Sequence, residues 1–454
     1  MQTASTQMSY GGHVKALLIL GLPLIGGHLG QTAISITDVV MLGWYGVEAL
    51  AAVTLGGTYF HMFFLVGSGF AWAVMPMVAA FQAEADQTGV RRATRMGLWI
   101  SLMFGAISLP FLVFAEPILL LLRQRPEVAA DAAAYLRIAG WGLVPGLGVM
   151  VIKSYLAALE RTQPILWIIL AAAVVNGVFN WAFIFGNWGA PELGLVGAAW
   201  ASNVTQVAMF LGVVIYARFV LPEHDLFARL WRVDRQMLAR VIKLGLPIGL
   251  TTLSEAGLFS ASALMMGTLG KVTLAAHGIV VMLASITFMV HMGLSNAATV
   301  RAGNAVGRRD PDHLARGAVT AFVLSLVFSA FTIGIFLLLP EALINIFLSR
   351  DEAARPDIMQ IGIVLLAIAA LFQLVDGAQV IWLGLLRGVQ DTTVPMVMAA
   401  ISYWPVGLGT SYVLGFVLGW GAPGIWLGLV FGLSCAAVLL GVRFWRVALP
   451  TLRR

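Results

Sequence analysis

Charged residues are scarce in this chain, and cysteine is almost absent. Only 11% of its 454 residues are Asp, Glu, Lys or Arg, whereas a soluble globular domain carries about 25%. The single cysteine, Cys435, excludes a disulfide framework and a thiolate metal cluster within the chain, and the seven histidines show no close pair at metal-ligand spacing. The composition therefore argues against an ordinary soluble domain.

Several motifs that would indicate other functions are also missing. No G-x-x-x-x-G-K-[ST] phosphate loop is present, and no segment reads as a soluble domain large enough to hold a nucleotide, so direct use of ATP is not expected. The carbonyl filter of a channel is missing, as are paired catalytic groups at nucleophile or metal spacing. The segment EADQTGVRRATR lacks the G-x-x-x-D-[RK]-x-G-[RK]-[RK] loop of major-facilitator transporters.

Long apolar segments dominate what is present. Hydrophobic residues make up 60% of the chain, and the mean hydropathy is +0.92. The segments lie at about 16–43, 49–81, 96–122, 134–158, 165–186, 195–217, 239–267, 273–305, 317–340, 358–386, 394–419 and 421–442. Each is long enough to cross a bilayer as a helix. The sequence therefore predicts an all-α polytopic membrane protein with 12 transmembrane helices, the first being a span rather than a signal peptide.

The basic residues predict the orientation in the membrane. An even number of spans places both termini on one side. If that side is cytoplasmic, 21 of the 27 Lys and Arg residues are cytoplasmic, and six are not: Arg123, Arg125, Arg137, Lys271, Arg350 and Arg355. This distribution follows the positive-inside rule, so the net charge of +6 reads as a topology signal rather than as a nucleic-acid site.

The second half of the chain repeats the first. Gly21-Leu22-Pro23 recurs as Gly245-Leu246-Pro247, a shift of 224 residues, and further matches at that shift are Gly69 with Gly293, Asp86 with Asp310, and Arg92 with Arg316. We therefore divide the chain into an N-lobe (1–217, spans 1–6), a linker (218–238) and a C-lobe (239–454, spans 7–12). Six spans per repeat predict two lobes related by a pseudo-twofold axis along the membrane normal, with a cavity between them.

The linker contains RFVLPEHDLFARLWRVDRQMLARVIK, with apolar residues at helical spacing. We interpret it as a cytoplasmic connector with a short amphipathic helix on the membrane surface. A calmodulin-type target helix is an alternative that such a pattern supports only weakly.

Three carboxylates lie inside predicted spans: Asp38, Glu255 and Asp376. An acidic side chain within a membrane span costs roughly 2.5–3.5 kcal/mol on insertion scales, so it usually serves a function. The sequence places no lysine or arginine deep enough in the apolar core to pair with them. Each carboxylate could therefore hold either a proton or a cation, as a coupled transporter requires; the alternative is a protonated carboxyl that hydrogen-bonds between helices.

Other polar and apolar residues extend these candidates. Asn176 and Asn180 are four residues apart, hence on one helix face, and their amide oxygens could complete a sodium site with Asp38 or simply bond between helices. Phe259, Met265 and Met282 could line an adaptable apolar substrate cavity, although such residues also serve as ordinary packing.

Taken together, these segments resemble the multidrug and toxic compound extrusion (MATE) family, and in particular its NorM-like bacterial branch. The resemblance covers essentially the whole chain and is carried by ISITDVVMLG, VVNGVFNWAFIFG, GAPELGLVGAAWAS, GLPIGLTTLSEAGLF, SNAATVRAGNAVGRRD and LFQLVDGAQVIWLGLLRGVQDT. It implies two six-helix bundles in a V around a central cavity. It also implies export of organic cations and amphipathic drugs against inward Na⁺ or H⁺ flow.

The resemblance also implies the site residues. An N-lobe cation or proton site would consist of Asp38, Asn176, Asn180 and Ser202, and a C-lobe site would contain Glu255 and Asp376, to which we add Tyr403. Archaeal members have an aspartate at the place of Asn180, so the coupling ion, Na⁺ or H⁺, stays open.

We expect a monomeric, non-enzymatic transporter of the bacterial cytoplasmic membrane, with drugs and lipid as its partners and no cofactor besides the coupling ion. A flippase of lipid-linked saccharides has a related fold, but it would need a strongly basic cavity, and the spans show no buried arginines.

Overall fold

The computed structural model describes residues 8–348 and 354–453, and these are almost entirely helical. The helices are α1 Tyr10–Tyr45, α2 Val47–Ala83, α3 Gln87–Val113, α4 Ala115–Leu121, α5 Pro126–Ala139, α6 Leu143–Ala158, α7 Gln163–Phe185, α8 Gly194–Val220, α9 Arg235–Thr268, α10 Lys271–Gly307, α11 Pro311–Leu338, α12 Pro340–Asn345, α13 Arg355–Gly388, α14 Thr393–Ile401, α15 Gly409–Tyr412, α16 Gly421–Arg443 and α17 Leu449–Arg453. Short 3₁₀ turns cover Gly140–Gly142, Asn187–Gly189 and Pro222–His224, and π-helical turns cover Ser402–Leu408, Val413–Val417 and Phe444–Ala448. The described residues contain no strand.

Within these ranges, twelve helical stretches are long and apolar enough to cross a membrane. The fourth combines α5 and α6, the eleventh runs from α14 to Val417, and the twelfth runs from α16 to α17. The predicted all-α fold with 12 spans is therefore confirmed. Arg350 and Arg454, which entered the topology prediction, lie outside the described residues.

The third predicted span, 96–122, is wrong in its boundaries. The helix starts earlier, at Gln87, and breaks at Phe114 (φ −103°, ψ 40°), where α4 begins in a new direction. The second repeat breaks equivalently at Leu339 (φ −127°, ψ 37°), directly before Pro340. Hydropathy cannot detect such a break because the apolar run continues through it, whereas the backbone turns at one residue.

The repeat is also visible in the turns before α3 and α11. Asp86 and Asp310 cap these helices, each accepting a hydrogen bond of 2.9 Å from the backbone N–H three residues later. Ala85 and Arg309, which precede the caps, both adopt left-handed backbone angles (φ 58° and 53°). The matched aspartates of the sequence are therefore matched helix N-caps, a use that stabilises a helix start by about 1 kcal/mol.

The chain packs as two compact units. The contiguous unit is Gly26–Leu250, and the split unit consists of the described residues up to Ile25 and from Thr251 onwards. The first part of α1 therefore packs with the second half of the chain, and the first part of α9 packs with the first half. The lobe boundaries predicted from the repeat stay a prediction.

Matched glycines explain this exchange of helix segments. Gly69 on α2 lies so close to α9 that an added Cβ would overlap the backbone nitrogen of Gly249. Gly293, its counterpart on α10, lies against α1, and an added Cβ would be 2.9 Å from the backbone nitrogen of Ile25. Small residues allow such close approach of membrane helices. Each repeat thus builds the same helix contact, once within each unit.

The linker does not form the predicted amphipathic helix. Between the end of α8 at Val220 and the start of α9 at Arg235, only Pro222–His224 is helical, as one 3₁₀ turn, and residues 226–231 form turns. Asp225 (φ 43°) and Arg229 (φ 52°) both adopt left-handed backbone angles, which a right-handed helix cannot contain. The linker therefore has apolar residues at helical spacing, but the left-handed angles of Asp225 and Arg229 prevent it from forming a helix.

Candidate cation sites

A cluster of polar side chains surrounds Asp38 within the contiguous unit. Its Oδ1 atom accepts hydrogen bonds from Asn176 Nδ2 at 3.0 Å and Asn180 Nδ2 at 2.5 Å, and its Oδ2 atom accepts one from Ser202 Oγ at 3.0 Å. The cluster joins α1, α7 and α8. The structure thus brings together all four residues proposed for the first site, although their function stays a prediction.

The two asparagines are positioned by helix geometry and burial. They lie one turn apart on the same face of α7, both are fully buried, and Asn180 Nδ2 also donates to Asn176 Oδ1 at 3.1 Å. The α7–α8 contact behind them is tight, because an added Cβ at Gly197 would overlap the backbone carbonyl of Phe183. The carboxylate is therefore held by donors whose own positions are fixed by packing.

One atom of this cluster has no partner. Asn180 Oδ1 is buried and makes no hydrogen bond within the described chain. A buried acceptor without a partner costs about 1–3 kcal/mol, and a bound water or ion is one way to remove that cost. Carboxylate, amide and hydroxyl oxygens are the ligands that hard cations prefer. The donor set of Asp38, Asn180 and Ser202 therefore fits a sodium ion, and the carboxylate alone fits a proton.

Tyr135 is a neighbour that the sequence did not reveal. It projects from α5, is 9% exposed, and lies close enough to Asp38 to interact with its charge. No motif marks it, since a tyrosine in an apolar helix is usually packing. Its position beside the carboxylate depends on how α5 packs, which only the structure shows.

The second cluster lies in the split unit and is built around Gln379, another residue that sequence reasoning missed. Gln379 Nε2 donates to Glu255 Oε1 at 2.6 Å and lies 3.5 Å from Asp376 Oδ1. Its Oε1 atom accepts a hydrogen bond of 2.6 Å from the hydroxyl of Tyr403. One buried amide thus joins all three residues that were proposed for the second site.

The helices explain this arrangement. Asp376 and Gln379 are three residues apart on α13, hence on one face, and Glu255 lies on α9. The three-residue spacing from Asp376 is the feature of the sequence that could have identified Gln379 as a site residue. Tyr403 belongs to the π-helical turn Ser402–Leu408, which contains Pro405. Such turns interrupt membrane helices and are frequent at functional sites.

The sequence predicts no basic residue deep enough in the spans to pair with the carboxylates, and for Glu255 this is wrong. Arg387, about two helical turns beyond Gln379 and near the end of α13, is 7% exposed and interacts electrostatically with Glu255. In the contiguous unit, Lys153 on α6 is 4% exposed and acts on the charge of His28. Both residues stand near predicted span ends, so the topology prediction counts them among the cytoplasmic basic residues.

The proposed substrate residues are more scattered. Phe259 packs edge-to-face on Phe372, with ring centroids 5.9 Å apart, whereas Met282 is 44% exposed on α10. Met265 is half-buried on α9. None of the three proposed residues lines the cavity of about 620 Å³ that the split unit contains between the first turns of α10, α13 and α16. Their contribution to a substrate site stays a prediction.

The MatE family profile matches residues 23–182 and 247–413, one match in each repeat, and together more than half of the chain. The chain belongs to the MatE family. It is 43% identical over 449 residues to the probable multidrug resistance protein NorM of Rhizobium meliloti (strain 1021), covering 98% of this chain and 96% of the relative. A second protein of that name, from Synechocystis sp., is 33% identical and covers 98% and 97%.

Solved structures show that the fold of this MatE protein is that of MATE transporters. The crystal structure of the eukaryotic MATE transporter AtDTX14 aligns with a TM-score of 0.85 and 17% identity, covering 98% of this chain and 99% of that one. An outward-facing multidrug resistance MATE family transporter of the MOP superfamily aligns with a TM-score of 0.87 and 20% identity, covering 97% of each chain. The family resemblance inferred from the sequence motifs is therefore confirmed, and the chain is a multi-pass membrane protein.

Proposed function

We propose that this MatE protein is a secondary active multidrug exporter, which moves organic cations and amphipathic drugs outward as Na⁺ or H⁺ moves inward. One observation carries the proposal: each packing unit contains a hydrogen-bonded carboxylate cluster in otherwise apolar spans. Its relatives are named probable multidrug resistance protein NorM, and this name supports drugs as the transported substrates.

Formal charge supports one monovalent cation per cluster. In the contiguous unit, the ionised Asp38 carboxylate is surrounded by neutral amides and a hydroxyl, which leaves one negative charge. In the split unit, Glu255 and Asp376 carry two negative charges when ionised, and Arg387 offsets one of them. A single proton or sodium ion would neutralise either cluster, which removes the cost of a charge within the membrane.

Such neutralisation can be coupled to transport. Each positive charge that moves inward gains roughly 2.3 kcal/mol per 100 mV, which corresponds to roughly fifty-fold accumulation of cargo per charge. The ion binds a carboxylate cluster in one state of the transporter, and its binding free energy shifts the population towards that state. A cationic drug that needs the same negative charge then competes with the ion.

The same proposal includes the setting of the protein. We place it as a monomer in the bacterial cytoplasmic membrane, with both termini in the cytoplasm. The even number of spans and the basic residues concentrated between particular spans support this orientation. Fusing a fluorescent protein to the C-terminus would test it, because the fusion fluoresces when it folds on the cytoplasmic side.

The competing function is a lipid-linked saccharide flippase. The sequence argument against it was the absence of buried basic residues, and Arg387 and Lys153 weaken that argument. The neighbours of Arg387 favour the exporter, since its charge interacts with the Glu255 carboxylate. A flippase would need unpaired positive charge for a pyrophosphate headgroup.

The test measures ethidium export from vesicles with a sodium gradient and a proton gradient imposed separately. The variants Asp38→Asn, Glu255→Gln and Asp376→Asn should lose gradient-driven export while their thermal unfolding in detergent changes little. Glu116→Gln and Glu341→Gln, two exposed carboxylates that follow the matched helix breaks, are the controls and should export normally. If all three cluster variants export at wild-type rates under both gradients, the coupling proposal is wrong.

A further inference from the structure

A cavity of about 780 Å³ lies in the contiguous unit, where the linker passes the first turns of α3 and α9. Arginines dominate its lining: six of them face two aspartates, the arginines being Arg91, Arg92, Arg95, Arg229, Arg232 and Arg235 and the aspartates Asp225 and Asp234. An excess of guanidinium groups around one cavity favours an anionic ligand. The export mechanism proposed above makes no use of this cavity.

Half of the arginines are already engaged within the protein. Arg92 Nε lies 2.5 Å from Asp234 Oδ2, and this pairing holds the pKa of the Asp234 carboxyl below its usual range. Arg91 lies 4.0 Å from Asp225. Arg95 donates to the backbone carbonyls of Asp225 and Leu226, at 2.7 Å each, and so fastens the linker to α3. These contacts form the wall of the cavity, and they pair the carboxylates of Asp225 and Asp234 with Arg91 and Arg92.

The other three arginines have uncompensated charge. The side chains of Arg229, Arg232 and Arg235 are exposed and make no hydrogen bond or ion pair with any described residue. They come from the linker and from the first residue of α9, and all three line the same cavity. Three guanidinium groups with free donors form the kind of surface that binds a phosphate group through paired N–H···O bonds.

The position of the cavity indicates where that phosphate comes from. The linker joins the end of α8 to the start of α9, both of them candidate membrane spans, so the cavity lies at the level where spans end. Trp231, between two of the uncompensated arginines, is 79% exposed, and Phe219 on the last turn of α8 is 74% exposed. An exposed tryptophan flanked by arginines is typical of a segment at the lipid headgroup level.

We propose that this cavity binds the phosphate headgroup of an anionic phospholipid, held by Arg229, Arg232 and Arg235. The first turns of α3 and α9 contribute the polar side chains Thr88 and Gln236 to the lining. Trp99 Nε1 donates to the carbonyl of Leu230 at 2.6 Å, which fixes the linker around the site. The lipid therefore ties the connector between the two repeats to the membrane surface.

The experiment measures lipid binding to the purified full-length protein by native mass spectrometry in detergent, with phosphatidylglycerol and phosphatidylcholine titrated separately. The wild-type protein should bind phosphatidylglycerol in preference. Each arginine near a membrane surface contributes about fivefold in affinity, so Arg229→Gln with Arg232→Gln should weaken phosphatidylglycerol binding about 30-fold. Binding of phosphatidylcholine should not change.

A matched control changes the same number of charges elsewhere. Arg308 and Arg309 are two exposed arginines at the end of α10 in the split unit, and their double replacement by Gln should leave phosphatidylglycerol binding intact. The proposal is overturned if the two double variants bind phosphatidylglycerol equally. It is also overturned if inorganic phosphate displaces the lipid at equal concentration, because the site would then select a soluble anion. Unchanged size-exclusion profiles show that both variants are folded.

Discussion

Replacing Gln379 by leucine should disable the split-unit cluster while leaving the helices in place. The buried amide donates to Glu255 Oε1 and accepts from the Tyr403 hydroxyl, both at 2.6 Å. A hydrogen bond to a charged group contributes roughly 1.5–3 kcal/mol, and a buried hydroxyl left without a partner costs about 1–3 kcal/mol. If the substitution destabilises the ion-bound state of the transporter by about 1.4–2.7 kcal/mol, gradient-driven export slows by about 10–100-fold.

The same helix offers a matched control. Gln373 is also fully buried on α13, but neither polar atom of its side chain has a hydrogen-bond partner within the described chain. Gln373→Leu therefore removes an uncompensated polar group, and it should leave export unchanged and thermal stability equal or higher. The comparison separates the loss of the bridge from the introduction of a leucine.

The assay is the initial rate of ethidium export per folded transporter, combined with thermal unfolding in detergent. A double-mutant cycle makes it specific: Tyr403→Phe should cost less in the Gln379→Leu background than in the wild type, because the hydroxyl has then already lost its acceptor. Wild-type export by Gln379→Leu, or additive effects of the two substitutions, would refute the bridging role.

Three further perturbations address other parts of the molecule. Asn180→Leu removes a donor to Asp38 and the buried unpartnered oxygen, so we expect loss of any sodium dependence of dye export, measured as the sodium concentration for half-maximal rate. Asp234→Asn breaks the pair with Arg92. This pairing lowers the pKa of Asp234 in the folded protein. The stabilisation that the pair provides is therefore present above the ordinary pKa of about 3.9, and it is lost as the pH falls through the lowered pKa of the folded state. After solvent screening the effect is at most about 1 kcal/mol, so melting curves of the two proteins should differ at pH 7 and converge only at a pH below the lowered folded pKa of Asp234. Gly69→Ala should cost about 1–3 kcal/mol through overlap with α9, whereas Gly57→Ala on the same helix meets no atom within 4 Å and should be neutral or stabilising; equal melting temperatures would contradict the packing argument.

The elements that could be predicted are those that depend on local composition or on the repeat. Apolar runs set the twelve spans, and the repeat pairs Gly69 with Gly293, which the structure places at a helix contact in each unit. The site prediction was most complete around Asp38, since the resemblance to MATE transporters supplied all four residues. Function-bearing side chains in apolar helices are easy to find because each polar residue there is costly.

The residues that were missed have a common physical reason. Gln379 and Tyr135 are ordinary residues until packing places them beside a carboxylate, and Arg387 looks like a loop residue because it stands near a predicted span end. The linker helix was wrong for a related reason, since two left-handed residues change the backbone without altering the apolar spacing. Side-chain spacing predicts a face of a helix, but it does not predict what that face meets.

The two clusters also show what a repeat conserves. The residue that matches Asp38 at the 224-residue shift is Ser262, which is fully buried and donates its hydroxyl to the backbone carbonyl of Phe259 at 2.8 Å. That hydroxyl is satisfied by its own helix, so the position carries no charge in the split unit. The acidic groups there come instead from Glu255, seven residues earlier on α9, and from α13. The packing contacts of the repeat are thus duplicated while the polar clusters are not, so the two units present different ligands to a cation, and variants of Asp38 and of Glu255 should differ in which ion gradient they impair.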